Sequence, residues 1–191
     1  MAVRAALLCC WLPAAHAGHG LMNAFAGIEW LPDPGVLPNE SAYRADRWQE
    51  TLALVLAGAE ARPALAEGIA REKLAEAEAM LKVGDGPAAQ VALVAWQAAV
   101  GDMVASAGVA PTARLRLANG VLEQQYIALA DYQDLPQTLR GPLLAATRLV
   151  GDRYAALAAG LSPRERDSLF FRAEEVRWSL EMAAAADEQG L

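Results

Sequence analysis

Glu67-Gly-Ile-Ala-Arg-Glu-Lys-Leu-Ala-Glu-Ala-Glu-Ala-Met-Leu-Lys-Val83 is followed by Gly84-Asp-Gly-Pro87 and then by Ala88-Ala-Gln-Val-Ala-Leu-Val-Ala-Trp-Gln-Ala-Ala-Val100. Two runs of good helix formers thus flank a short breaker. Ala70, Leu74, Ala77 and Leu81 recur at steps of four, three and four, one apolar stripe on a helix. Glu67 with Arg71 and Glu78 with Lys82 place acid before base at i,i+4, the order that supports an exposed helical face. Gly84 suits the left-handed residue that closes a helix, Asp85 the cap of the next, and Pro87 its first turn. The stretch predicts an antiparallel helical hairpin.

Outward from the hairpin, the rest of the chain keeps helical spacing. A first helix is expected from Ser41, as N-cap, to about Leu56, with Tyr43, Arg47 or Trp48, Leu52 and Leu56 along its inner edge. Gly108 and Pro111 separate the hairpin from a helix carrying Leu115, Leu122, Tyr126 and Leu129. Asp134 and Pro136 start a fifth, with Leu139, Leu143, Val150, Tyr154 and Leu157, which Gly160 ends. Ser162-Pro-Arg-Glu165 is a capping box with proline at the first helical position. It opens a last helix presenting Leu169, Phe170, Ala173, Val176 and Leu180. No segment alternates with period two long enough for a strand. The fold class is all-α: about six helices in antiparallel hairpins, packed as a bundle. Val100-Gly-Asp102 recurs as Val150-Gly-Asp152, which suggests a duplicated hairpin or a chance match of common residues.

The N-terminal end reads differently. Arg4, the apolar run Ala5–Leu12 and the small-x-small triplet Ala15-His16-Ala17 make 1–17 a signal peptide, with cleavage before Gly18. Neither Cys9 nor Cys10 follows the small residue that lipid attachment prefers. Residues 18–40 form an irregular arm with Pro32, Pro34 and Pro38, and its Trp30, Leu31 and Leu37 are expected to dock on the bundle. Trp30 in particular is expected to be shielded. Leu21 to Ile28 is read as a short packed helix. The helical domain then occupies 41–187. No stretch after the signal is read as approaching the ~20 apolar residues of a membrane span.

Cleavage would remove Cys9, Cys10 and His16 and leave one histidine, His19. The formal net charge of −7 becomes −8 once Arg4 is lost. An acidic chain with no basic block is a poor partner for nucleic acid or anionic lipid. Thiolate, His-assisted serine and Cys/His zinc chemistry all lack their parts after residue 18. Gly84-x-Gly86-x-x-Ala89 imitates a dinucleotide fingerprint, but it follows a helix where a strand is needed. Ser41 and Ser162 read as caps. Trp48, Trp96 and Trp178 read as core residues. Glu72 with Glu76, and Glu174 with Glu175, are carboxylate pairs on faces expected to be solvated. No residue is therefore assigned as catalytic, cofactor-binding or metal-binding, and no cofactor is expected.

Leu37-Pro38, Ser41-Ala-Tyr43, Arg47-Trp48 and Leu52-Ala-Leu54, followed by Arg71-Glu-Lys-Leu74-Ala-Glu76-Ala-Glu-Ala-Met-Leu81 and Gly84-Asp85, resemble a bacterial family of exported helical domains, the domain of unknown function 5667. The resemblance runs from about residue 36 to 185 and is best over the first three helices. Arg44 and Asp46 stand where the family favours proline and lysine. The resemblance implies an extracytoplasmic location and a helical fold, and it carries no catalytic residue onto this chain.

The expected role is an exported helical scaffold or interaction module, periplasmic or extracellular, that binds an envelope protein or itself and not nucleic acid. The alternatives are a carboxylate-dependent enzyme, which needs two acids facing one pocket, and a small-ligand or metal-binding protein, which needs a roomy cavity or convergent carboxylates. Gly101 and Gly151 lie inside helices, where glycine costs ~0.5–1 kcal/mol relative to alanine. Each is expected to mark a close crossing filled by Tyr126, Tyr154 or Trp96.

Overall fold

The computed structural model describes residues 24–189, so the expected signal peptide at 1–17, both cysteines, both histidines and part of the predicted helix at 21–28 lie outside the described residues. Six α-helices follow one another: α1 (Tyr43–Leu56), α2 (Arg62–Val83), α3 (Gly86–Val109), α4 (Arg114–Ala130), α5 (Gln137–Ala158) and α6 (Pro163–Gln189). Short 3₁₀ turns at Pro111–Ala113 and Tyr132–Asp134 lead into and out of α4. No strand occurs among the described residues. The chain is all-α.

The hairpin of α2 and α3 is the most extensively packed pair. Its breaker works as its residues dictate. Gly84 closes α2 at φ 76°, where a side chain would be strained, and its amide reaches back to Leu81 and Met80. Asp85 then accepts the amide of Ala88 at the start of α3. Ala70, Leu74, Ala77 and Leu81 are all buried, and alanine lets α2 and α3 approach closely. Trp96 of α3 is enclosed, its Nε1 donating to Gln124 Oε1 at 2.8 Å. The Ser162 capping box forms both reciprocal bonds with Glu165. The Ser162 hydroxyl, donating to Glu165 Oε2 at 2.6 Å, and the Ser162 amide together hold the Glu165 carboxyl below its ordinary range.

The central position of α3 corrects one expectation. Gly86–Gly108 is long and apolar enough to cross a membrane by length and composition, and half of its most apolar window is buried inside the fold. Its hydrophobicity matches its place between α2 and α5.

The arm docks through other residues than Trp30. Phe25 is buried and stacks on Tyr126 with ring centroids 4.2 Å apart, under the guanidinium of Arg172. Arg172 also donates to the carbonyl of Ala24, and Leu31 and Leu37 pack on the core. Trp30 itself is 59% exposed; its carbonyl, with that of Glu29, is what Arg71 holds. Arg71 is thereby taken from the predicted pairing with Glu67, which binds Arg116 instead. Ala24–Gly27 is a turn, not part of a helix.

Other corrections concern faces. Ser41 makes no cap: α1 starts after Ala42, which offers no side-chain bond. Trp48, Trp178 and Phe170 are exposed, not core. The two interior glycines differ from one another. A side chain at Gly101 would meet open space, whereas one at Gly151 would come within 3.0 Å of Gln125 Nε2. A common cause therefore fails at Gly101, and at Gly151 the neighbour is an amide, not one of the aromatic rings.

Candidate functional site

Lys73 lies on the buried face of α2. Read from Ala66 through Ala70 to Lys73 and Ala77, the steps are four, three and four, so the lysine occupies a core position of the stripe. Its side chain is fully enclosed. An ammonium shut away from water must be paired, and the pairing comes from the helix laid over it. Glu50 of α1 reaches Nζ at 2.5 Å, Asp46 of α1 at 3.4 Å, and Glu76, one turn on along α2, at 2.5 Å. The Tyr43 ring lies against the same ammonium, 5.5 Å from Nζ to its centroid. Arg47 clasps Glu50 at 3.0 Å.

This need for counter-ions turns α1 round. The side of α1 toward α2 carries Tyr43, Asp46, Arg47, Glu50 and Leu54. Half a turn away Trp48, Leu52, Val55 and Leu56 form an outward row, exposed by 67%, 40%, 67% and 74%. The predicted inner edge holds at Tyr43 and at partly buried Arg47, and is inverted for Trp48, Leu52 and Leu56. Ordinarily the apolar stripe faces inward; here an uncompensated buried ammonium would cost more than leaving the row in water.

Glu76 is wholly buried and Glu72 half-buried, so their shared face is not solvated. Burial pushes the Glu76 carboxyl up to about 7, against the pull of Lys73. Burial raises Glu72 as well. For Lys73 burial works downward, but its bonds to Glu50 and Glu76 outweigh it and hold the ammonium charged. Burial, with the charge of Glu76 adding to it, raises the Tyr43 phenol. Three polar atoms here have no hydrogen-bond partner: Glu76 Oε2, the Tyr43 hydroxyl and Glu50 Oε1, the last of which still lies in ion-pair contact with Lys73. Asp46, Glu72 and Glu76 can each offer one oxygen to a common point, all within 4.8 Å of one another. Glu174, of the other predicted pair, is bound to Arg177 on the exposed side of α6.

The apolar depression between α2, α4 and α5, lined by Leu31, Leu74, Leu81, Ile127 and Leu143, is ≈ 20 Å³. That admits about one water and no organic ligand. Sequence reasoning assigned none of the cluster residues. The readable signal was a lysine at a core step of an alanine stripe, with acids at i−1 and i+3.

A family model described as Domain of unknown function (DUF5667) matches residues 35–135, just over half of the 191-residue chain. The matched stretch includes α1 to α4 and every residue of the cluster. No curated protein and no solved structure matches.

Proposed function

The chain belongs to the DUF5667 family, and from that premise we propose that it is an exported, non-catalytic interaction module that self-associates through the outward row of α1. The observation that carries this reading is the inverted amphipathicity of that helix. Four large apolar side chains share one exposed face, while acids and Arg47 face the bundle. Fully burying a side chain of this size is worth ~1.5–3 kcal/mol, so a contiguous exposed row of them marks a contact surface.

A second copy fits this surface. In an antiparallel pair centred on Leu52, each Trp48 faces the other copy's Leu56. A two-fold pair is also the commonest symmetry for identical chains. Export is supported by the N-terminal pattern of Arg4, the apolar run and Ala15-His16-Ala17.

Sedimentation equilibrium over a concentration series tests the association. The chain should move between monomer and dimer, and Leu52→Glu with Val55→Glu should hold it monomeric with unchanged helix content. A chain that stays monomeric at every concentration, or a variant that dimerises as well as the parent, contradicts self-association.

A further inference from the structure

Around Lys73 the charges do not balance. Asp46, Glu50, Glu72 and Glu76 face Lys73 and Arg47, four carboxyl groups against two cations at a largely enclosed place. Lys73 engages Glu50, Glu76 Oε1 and, more loosely at 3.4 Å, Asp46 Oδ2. The other carboxylate oxygen, Glu76 Oε2, belongs to a side chain with no exposure and has no hydrogen-bond partner. A buried carboxylate oxygen left without a donor is a costly arrangement that calls for a cation or proton beside it. Asp46 and Glu72 bring one oxygen each to within 4.8 Å of an oxygen of Glu76, and both are half-buried, open on one side to water.

We infer that Asp46, Glu72 and Glu76 bind one hard divalent cation, of the Ca²⁺ class, at the junction of α1 and α2. The ligands are all carboxylate oxygens, which select Ca²⁺, Mg²⁺ or Mn²⁺ over softer ions. The half-open side leaves room for the waters that complete six to eight ligands around Ca²⁺. A divalent cation favours the ionised form of all four acids and offsets the formal excess of two that this creates, and Lys73 keeps its own bonds to Glu50 and Glu76. Glu76 then bridges the ammonium and the ion. The cation would tie Asp46 of α1 to Glu72 and Glu76 of α2, adding to the polar contacts that hold the first helix in place.

Terbium(III), a luminescent probe of Ca²⁺ sites, tests this with the purified chain, its emission excited through the neighbouring Tyr43. The expected result is saturable binding of one ion per chain, displaced by excess Ca²⁺. Binding should weaken at least tenfold in Glu76→Gln and in Asp46→Asn. Glu174→Gln with Glu181→Gln, which removes the exposed acids around Arg177, should bind as the parent does. Circular dichroism checks the fold of each variant, and Asp46→Asn, altered at a half-exposed position, decides the matter if Glu76→Gln does not fold. No saturable binding, parental binding in the cluster variants, or equal loss in the α6 variant overturns the site.

Discussion

Lys73 Nζ lies 2.5 Å from Glu76 Oε1, with both side chains shut off from solvent. The two residues are three apart on α2, so the contact is local, yet neither charge is satisfied by it alone. Lys73 needs Glu50 and Asp46 as well, and these come only with α1. A requirement of one buried ammonium thus decides which side of the first helix meets the bundle and which meets the outside.

Breaking this arrangement from the cationic side should be severe. Lys73→Met leaves Glu76 enclosed without its partner, and removing one member of a buried pair costs about 3–5 kcal/mol. Adding Glu76→Met to the same chain should recover a large part of that loss. Urea unfolding of the two single variants and the double variant at pH 8 measures the coupling. If the losses simply add, the pair is not coupled as described.

The pH dependence follows from the raised Glu76 carboxyl, about 7 against an ordinary 4.5, with burial as its main cause. The folded chain holds this proton more tightly than the unfolded chain does. Its stabilising contribution is therefore complete below about pH 4.5 and lost as pH rises through about 7. Glutamine cannot ionise, so Glu76→Gln should gain on the parent from pH 5 and level off above about pH 7. The gain is at most ~1.4 kcal/mol per pH unit. Denaturant unfolding with a chelator present, across that range, is the measurement. A difference that stays flat across that range would show that Lys73 keeps Glu76 ionised throughout.

The interior glycines should respond with opposite signs. At Gly101 an added methyl meets open space, so Gly101→Ala should stabilise by ~0.5–1 kcal/mol through helix propensity. At Gly151 the methyl would press on Gln125 Nε2, an enclosed amide that donates to the carbonyl of Thr147 at 3.1 Å. Gly151→Ala should be neutral or destabilising. Thermal unfolding of both variants checks this, and equal shifts would contradict it.

Much of the architecture could be read from local signals. The hairpin, its Gly84 and Asp85 caps, the Ser162 box and the core leucines of α4 and α5 all depend on residues close in sequence. The candidate site was not legible, because its logic is tertiary. Trp48, Leu52 and Leu56 trace an apolar stripe, and nothing within α1 says that Lys73, 27 residues from Asp46, will demand the opposite face. Trp30 was misjudged similarly: what the arm delivers to α2 there is two backbone carbonyls for Arg71, while its buried anchor is Phe25 on Tyr126. The Glu72 and Glu76 face looked solvated because its acids alternate with alanine, and only the covering helix removes the water.

The outward row of α1 should carry little of the monomer's own stability. Trp48→Gln and Leu56→Gln alter exposed side chains, and such changes usually fall within about 0.5 kcal/mol of neutral. Both should nonetheless weaken dimerisation, by tenfold or more for Trp48, since aromatic residues dominate interface energetics. Unfolding at low concentration separates the first effect from the second, read by sedimentation. A large loss in the dilute monomer would place these residues in the core.

Cysteine cross-linking across the two-fold axis tests the self-association most directly. A chain beginning at Gly18 has no native cysteine, so one thiol can be placed at Leu52. In the antiparallel pair this position meets its own copy, and Leu52→Cys should form a disulfide-linked dimer rapidly under mild oxidation. Leu56→Cys alone should cross-link poorly, but efficiently when mixed with Trp48→Cys. Rapid self-linking at Leu52 together with the mixed link between 48 and 56 is the predicted result. Linking that is equally slow at all three positions, or fastest for Leu56 with itself, would contradict the account.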